Sequence, residues 1–205
     1  MKIFIKILKD GDPHFITESH IQQVRKLILE MIHRLPTSEI LRPYVKHILT
    51  LMLSLLKIDN EENVLVCLRI IIELHKQYRP EFNVEIQDFL SFVKAIYSDL
   101  PKHLPKIFEP RQPIRVKDLS EVNISELLNE TYTITPIQAD KKTADGALLT
   151  YNLIPKGVLS LKVLQELPII VVLMYQIYKQ YVHVEVAEFV PLIMTTITLQ
   201  PLPVH

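Results

Sequence analysis

Residues 60–80 read "NEENVLVCLRIIIELHKQYRP". Between Val64 and Leu74 the charged side chains are Arg69 and Glu73. A helix on the surface of a compact domain shows one apolar stripe and a broad polar face. This one is apolar on nearly every side, with Arg69, Glu73 and Lys76 in one thin line. A helix buried on three sides, with one strip left to solvent, fits the inner position of a stacked helical array. Ile71 is expected to be buried between layers of such an array.

Working outward, helical periodicity recurs on both sides. Ile21, Val24, Leu27, Ile28, Met31, Ile32 and Leu35 make one helical face, which Pro36 stops. Thr37 or Ser38 can cap the next helix, with Leu41, Val45, Ile48, Leu49, Met52, Leu55 and Leu56 as its apolar side. Asp59 and Glu62 have capping-box spacing for the quoted helix, which Pro80 ends. Ile86, Phe89, Leu90, Val93, Ile96 and Tyr97 mark a fourth helix ending near Pro101. The three glycines, Gly11, Gly146 and Gly157, all fall outside the periodic segments.

The pattern breaks at residues 110–156, which hold four prolines and the Asp145-Gly146 turn signal. Residues 131–135 alternate like a strand, and 148–154 could oppose them in a small hairpin. A long, partly disordered insertion is the alternative reading. Helical pattern returns at 158–181 and 184–199.

These helices repeat. Shifted forward by 43, Lys26 falls on Arg69, Glu30 on Glu73 and His33 on Lys76, while Leu27, Ile28 and Met31 fall on Ile70, Ile71 and Leu74. Shifted by 41, Val45, Ile48, Leu49, Met52 and Leu55 fall on Ile86, Phe89, Leu90, Val93 and Ile96. A two-helix unit of about 41–43 residues is in the range of HEAT and armadillo repeats. The fold reading is therefore all-α, an α-solenoid of about three HEAT-like helix pairs. Residues 1–109 hold the first repeats, the first of them incomplete. Residues 110–156 are an insertion, and 157–205 a further pair. A short helix without a partner precedes the pairs near residues 1–9. Apolar patches are expected at both ends.

Lys plus Arg and Asp plus Glu are 23 each, so no basic excess points to nucleic acid. The lone Cys67 sits in an apolar helix and reads as a small buried hydrophobe. The longest apolar run, residues 167–175, is nine residues and includes Pro168; a membrane span needs about twice that. No secretory signal is legible, so the sequons at Asn123 and Asn129 read as chance matches.

The chain offers no phosphate-cradling glycine loop, Ser160 lacks the glycine frame of a nucleophile elbow, and the histidines are scattered. No catalytic residue, cofactor, metal or small-molecule substrate is expected. His33 and His75 read as structural or surface residues, and Tyr175, Tyr178 and Tyr181 as a packing stripe. The surface on offer for partners is the strip of Lys26, Glu30, Arg69, Glu73 and Lys76. From the residues alone, other helical-repeat binders, such as a transport receptor or a phosphatase scaffold, fit as well.

Three longer stretches add a resemblance. "IQQVRKLILEMIHRLPTSEILRP" (21–43), "EENVLVCLRIIIELHKQYRP" (61–80) and "LSLKVLQELPIIVVLMYQIYK" (159–179), followed by "VAEFVPLIM" (186–194), resemble in order the amino-terminal part of the transformation/transcription domain-associated protein family. The resemblance implies a nuclear scaffold, built mostly of HEAT repeats and related to kinases whose catalytic residues are lost. It implies a place in histone acetyltransferase complexes of the SAGA and TIP60 types, with transcriptional activators and complex subunits as partners, and no direct contact with nucleic acid or membrane. The chain has no room for the remaining solenoid or the pseudokinase of that family. Residues 4–8 read as the end of a helix whose partner is missing, and the chain as a fragment, a short isoform or an incomplete gene model.

Overall fold

The computed structural model describes residues 1–35, 38–79, 81–107, 115–116, 149–150 and 154–197. The described chain is predominantly helical: α1 (Lys2–Asp10), α2 (His20–His33), α3 (Arg42–Ile58), α4 (Glu61–Gln77), α5 (Asn83–Ile107) and α6 (Leu161–Ile197), with a 3-10 turn at Gly157–Leu159. The helix expected near residues 1–9 is α1. It is not alone, because it packs against α2 and α3.

The caps show where helix ends were legible. Ser19 accepts a hydrogen bond from the Gln22 amide and opens α2. The quoted helix is opened by Asn60, which accepts from the Asn63 amide at 3.0 Å, and not by Asp59. Asp59 and Glu62 are engaged with side chains elsewhere. Ser38 does not cap α3, which starts at Arg42 with Pro43 in its first turn, where a missing N–H costs nothing. Thr37, Pro36 and Pro80 lie outside the described residues.

Two elements depart from the bounds that periodicity suggests. α5 does not stop at Pro101 but continues to Ile107. The pattern at 158–181 and 184–199 is α6, two helical stretches that meet at a kink at Tyr178 (φ −120°, ψ 24°), a few residues before the break expected near 182. Tyr178 repeats the end of α4, where Tyr78 has φ −111° and ψ 39°. The two are 100 positions apart, as are the caps Asn60 and Ser160, whose hydroxyl accepts from the Val163 amide. The first 17 residues of α6 are thus in register with the 17 of α4.

The helices stand in two rows. α2, α4 and α6 are consecutive neighbours in one, and α1, α3 and α5 in the other. Across the rows α1 packs on α2, α3 on α4 and α5 on α6. The layers are therefore paired one helix out of step with the expected α2–α3 and α4–α5 units. The core runs through the middle: Met52, Leu55, Cys67, Ile71, Phe89, Leu167 and Met174 are all fully buried. Ile71 lies inside, as the sequence suggests.

α2 departs from its expected face. Ile28 and Ile32 are buried with Leu29, Gln22 and Arg25, while Ile21, Val24, Leu27, Met31 and Leu35 are exposed. The buried side packs against α1 and α4, and the other side is exposed.

The β structure among the described residues is one antiparallel ladder, β1 (Arg115–Val116) with β2 (Leu149–Thr150), Arg115 opposite Thr150. The expected strand at 131–135 and the sequons at Asn123 and Asn129 lie outside the described residues. α6 is long and apolar enough, by length and composition, to cross a membrane, with a mean hydropathy of 1.4, which the interrupted run at 167–175 does not suggest. It packs here against α4 and α5, and Val163, Leu164, Leu167, Ile170, Val171 and Met174 are buried.

Candidate protein-interaction surface

A buried polar node at the α3–α4 turn ties α1 and α2 to the start of α4. Arg25 and Asp59 form an ion pair of 2.6 Å with both side chains fully buried. Arg25 Nη1 also donates to the Gly11 carbonyl at 2.9 Å and the Leu8 carbonyl at 3.3 Å, which fixes the end of α1. Asp59 accepts from the Asn60 amide and from Asn63 Nδ2, each at 2.9 Å. Gln22 accepts from Asn60 at 2.7 Å and Asn63 at 3.0 Å, and donates to Asn63 Oδ1 at 3.2 Å. Buried charges persist when paired and hydrogen-bonded in this way. Arg25 Nε alone among the described buried side-chain atoms has no partner.

The chain returning at residue 154 locks onto the same place. The Ile154 amide donates to the Phe15 carbonyl at 2.7 Å, Gly157 to the Asp59 carbonyl at 3.0 Å, and Glu61 to the Pro155 carbonyl at 2.8 Å. Glu61 also accepts from the Ser160 hydroxyl at 2.5 Å and pairs with Lys162 at 2.7 Å. The node is sealed, so it positions surfaces and offers none itself.

The second tie is between α4 and α6. His75 Nδ1 and the Tyr178 hydroxyl share a hydrogen bond of 2.8 Å, and their rings meet edge to face at 5.3 Å. Burial depresses the His75 pKa to about 4 and pushes that of Tyr178 up to about 12. His75 is thus structural, as expected. Within the tyrosine stripe, Tyr178 is buried, Tyr175 half-buried and Tyr181 exposed. The Cys67 thiol is buried, and desolvation holds its pKa well above the usual value. The Tyr97 hydroxyl donates to the Leu164 carbonyl at 2.7 Å, and its ring meets Phe189 at 5.2 Å, tying α5 to α6 on both sides of the kink.

The five strip residues sit on the neighbouring helices α2 and α4. Lys26, Arg69 and Lys76 are exposed, and Glu30 and Glu73 are half-buried. Lys26 reaches across to Glu62 at 2.8 Å and so joins the two helices. Glu30 pairs with Arg34 at 3.6 Å. Glu73 pairs with Lys76 at 3.4 Å, not with Arg69 as the four-residue spacing suggests. Exposed pairs of this kind are worth about 0–1 kcal/mol each. The strip is therefore a line of both signs, joined by exposed or half-exposed ion pairs.

A groove that sequence reasoning missed opens on the other row. It measures about 980 Å³ between α3 and α5, with Leu53 and Phe92 among its lining and Lys57, Asp99, His103 and Lys156 around it. No sequence signal marks it, because it depends on how far two helices diverge. Among the described residues no three His, Cys, Asp or Glu side chains converge to hold a metal ion.

No family model and no solved structure matches the chain. It is 62% identical over 202 residues to transcription-associated protein 1 of Drosophila melanogaster, covering 98% of the chain and 5% of that relative. It is 52% identical over 197 residues to the human transformation/transcription domain-associated protein, covering 96% and 5%. A SAGA complex/NuA4 acetyltransferase complex subunit of Saccharomyces cerevisiae is 25% identical over 208 residues, covering 97% and 6%. The chain spans about 5% of the length of the first two relatives. With identity of this order over nearly all of its residues, the chain belongs to the transformation/transcription domain-associated protein family.

Proposed function

We propose that this chain is a HEAT-type solenoid segment of a non-catalytic scaffold in the nucleus, part of the transcriptional co-activator machinery of histone acetyltransferase complexes. The observation that carries the reading is the 62% identity to transcription-associated protein 1 over 98% of the chain. Two more distant relatives, from budding and fission yeast, are named as SAGA and NuA4 acetyltransferase complex subunits. The packing supports it physically. Consecutive layers of paired helices bury their faces against neighbours and leave one edge of each layer free, the geometry of extended binding surfaces. In this reading the layers carry surface for transcriptional activators and complex subunits, and the strip of Lys26, Glu30, Arg69, Glu73 and Lys76 is the line of contact.

The test is affinity purification of the chain from nuclear extract, with partners identified by mass spectrometry. The unmodified chain is expected to retain acetyltransferase-complex subunits. Reversing the five strip charges should weaken that retention without loss of helical content. Recovery of nucleoporins or phosphatase subunits in their place would overturn the reading in favour of a transport or phosphatase scaffold.

A further inference from the structure

Three chain reversals lie side by side at the far end of α4 from the buried node: the α2–α3 turn, the α4–α5 turn and the Tyr178 kink. The Tyr78 hydroxyl donates to the Ser38 carbonyl at 3.0 Å and Arg42 pairs with Glu81, which joins the first two. Gln87 donates to Glu185 at 3.5 Å and His75 meets Tyr178, which joins the second to the third. Each reversal carries an exposed β-branched residue: Ile40, Val84 and Val184 are 84%, 60% and 54% exposed. The 100-residue register of α4 with α6 runs on through the turn. Phe82 and Phe89 correspond to Val182 and Phe189, and all four are buried. Leu90 is buried where α5 packs against α6, whereas its counterpart Val190 is 54% exposed, so a following layer covers that position. Val84 and its counterpart Val184 are both open, with and without a following layer, so their exposure does not depend on where the chain ends. Arg79 and Lys179 are equivalent in the same way: both are exposed, and neither forms an ion pair among the described residues. Arg79 lies close enough to act on the Tyr178 hydroxyl, so the two cations flank one joint.

We propose that this edge of turns binds a proline-rich partner segment in the polyproline II conformation. Spacing is the first argument. Successive layers of packed helices stand about 8–10 Å apart, and a polyproline II helix brings every third residue to one face about every 9 Å. An extended strand returns to one face at about 7 or 13 Å and falls out of step. Hydrogen bonding is the second. Polyproline II has no internal hydrogen bonds, so its carbonyls are free to accept, and proline has no N–H to give. The edge offers the complement: one apolar contact per layer, the unpaired donors of Arg79 and Lys179, and the 48% exposed Tyr181 ring to lie against pyrrolidine. An α-helix also returns to one face about every 10 Å, but its carbonyls are bonded within it and leave the two cations without acceptors. The edge shares no residue with the charged strip and the proposal needs no acetyltransferase subunit, so it and the functional reading can fail separately.

Fluorescence anisotropy of a labelled peptide that repeats Pro-Pro-Leu, titrated with the unmodified chain, tests it. Binding should saturate. A peptide of the same composition with its leucines gathered at one end keeps the apolarity and loses the spacing, and it should bind about tenfold more weakly or worse. Val84→Glu with Val184→Glu should weaken the repeating peptide by about tenfold or more, and Arg79→Ala with Lys179→Ala by a smaller factor. All four positions are exposed, and circular dichroism checks that each variant folds. Ile169→Glu with Val172→Glu changes an exposed apolar face earlier in α6 and should leave binding as it was. The proposal is overturned if the two peptides bind alike, if the edge variants bind as the unmodified chain does, or if the Ile169 and Val172 variant loses as much affinity as they do. It is overturned too if an acidic amphipathic helical peptide binds the edge and the proline-rich peptide does not.

Discussion

Arg25 is charged and fully buried, on the same side of α2 as the buried Ile28, Leu29 and Ile32. Its burial is intelligible only with Asp59, 34 positions away, and with the carbonyls of Leu8 and Gly11. Asp59→Ala leaves that guanidinium uncompensated, and we expect a loss of about 3–5 kcal/mol, read from chemical denaturation. The double change Arg25→Met with Asp59→Asn should cost less, because it removes the buried charge and keeps an acceptor for the Asn60 amide. His75 gives a pH signature. Its pKa is about 4 in the folded protein against an ordinary 6.5, so the unfolded chain binds the proton more readily between these values. Stability present above pH 6.5 is therefore lost as pH falls from about 6.5 to about 4, by up to about 3 kcal/mol. His75→Phe should flatten denaturation midpoints across that window by a corresponding amount; an unchanged slope would show that His75 does not titrate there. None of these partnerships is legible in the sequence, where Arg25 and Asp59 are two charges among many. The lone Cys67 was legible, because a small hydrophobe amid Val, Leu and Ile has one place to go.

At the scale of elements, the helices themselves could be read from spacing, and their ends less well. A proline marks a helix end when the lost hydrogen bond and the ring clash are not offset. In α5 the chain runs on through Pro101, with Leu100 and Ile107 on either side of it buried. The join within α6 was misplaced because a kink at one residue leaves the apolar pattern almost unbroken. The segment that returns to the node has its own test. A Cβ on Gly157 would lie 2.4 Å from Val64 Cγ2 and 2.7 Å from Val64 Cβ, closer than atoms can pack. Gly157→Ala should therefore destabilise by about 1–3 kcal/mol through overpacking. Val64→Ala in the same chain should recover part of that loss. A double-mutant cycle with no coupling would show that the turn and the first turn of α4 do not touch.

For the whole molecule, the helical character was readable but which helices pack together was not. Two helices 43 residues apart announce a period, yet which neighbour completes a layer depends on contacts that sequence alone does not rank. The faces of α2 were misread for the same reason: Ile21, Val24, Leu27 and Met31 are apolar, and apolarity states a preference for cover without saying that cover is present. The groove between α3 and α5 was beyond reach, since no residue type specifies a gap. The layered packing makes one global expectation. α4 has neighbours on both sides, whereas α1, among the described residues, makes its main contacts with α2 and α3. Amide hydrogen exchange should be slowest in α4 and fastest in α1, because local opening is easiest where least apolar surface is lost. Equal protection in the two would show that the layers open as one unit. The hydrogen bond between His75 and Tyr178 also has a bearing on time. These residues lie 103 positions apart in the chain. At a synthesis rate of about 5–20 residues per second, α4 leaves the ribosome roughly 5–20 s before the helix that covers it. Through that interval Leu68 and His75 have no native partner on α6, and the nascent chain presents a sticky flank to whatever holds growing polypeptides apart. The covering helix comes after residues 108–153 in the chain, so each residue added before it lengthens the wait.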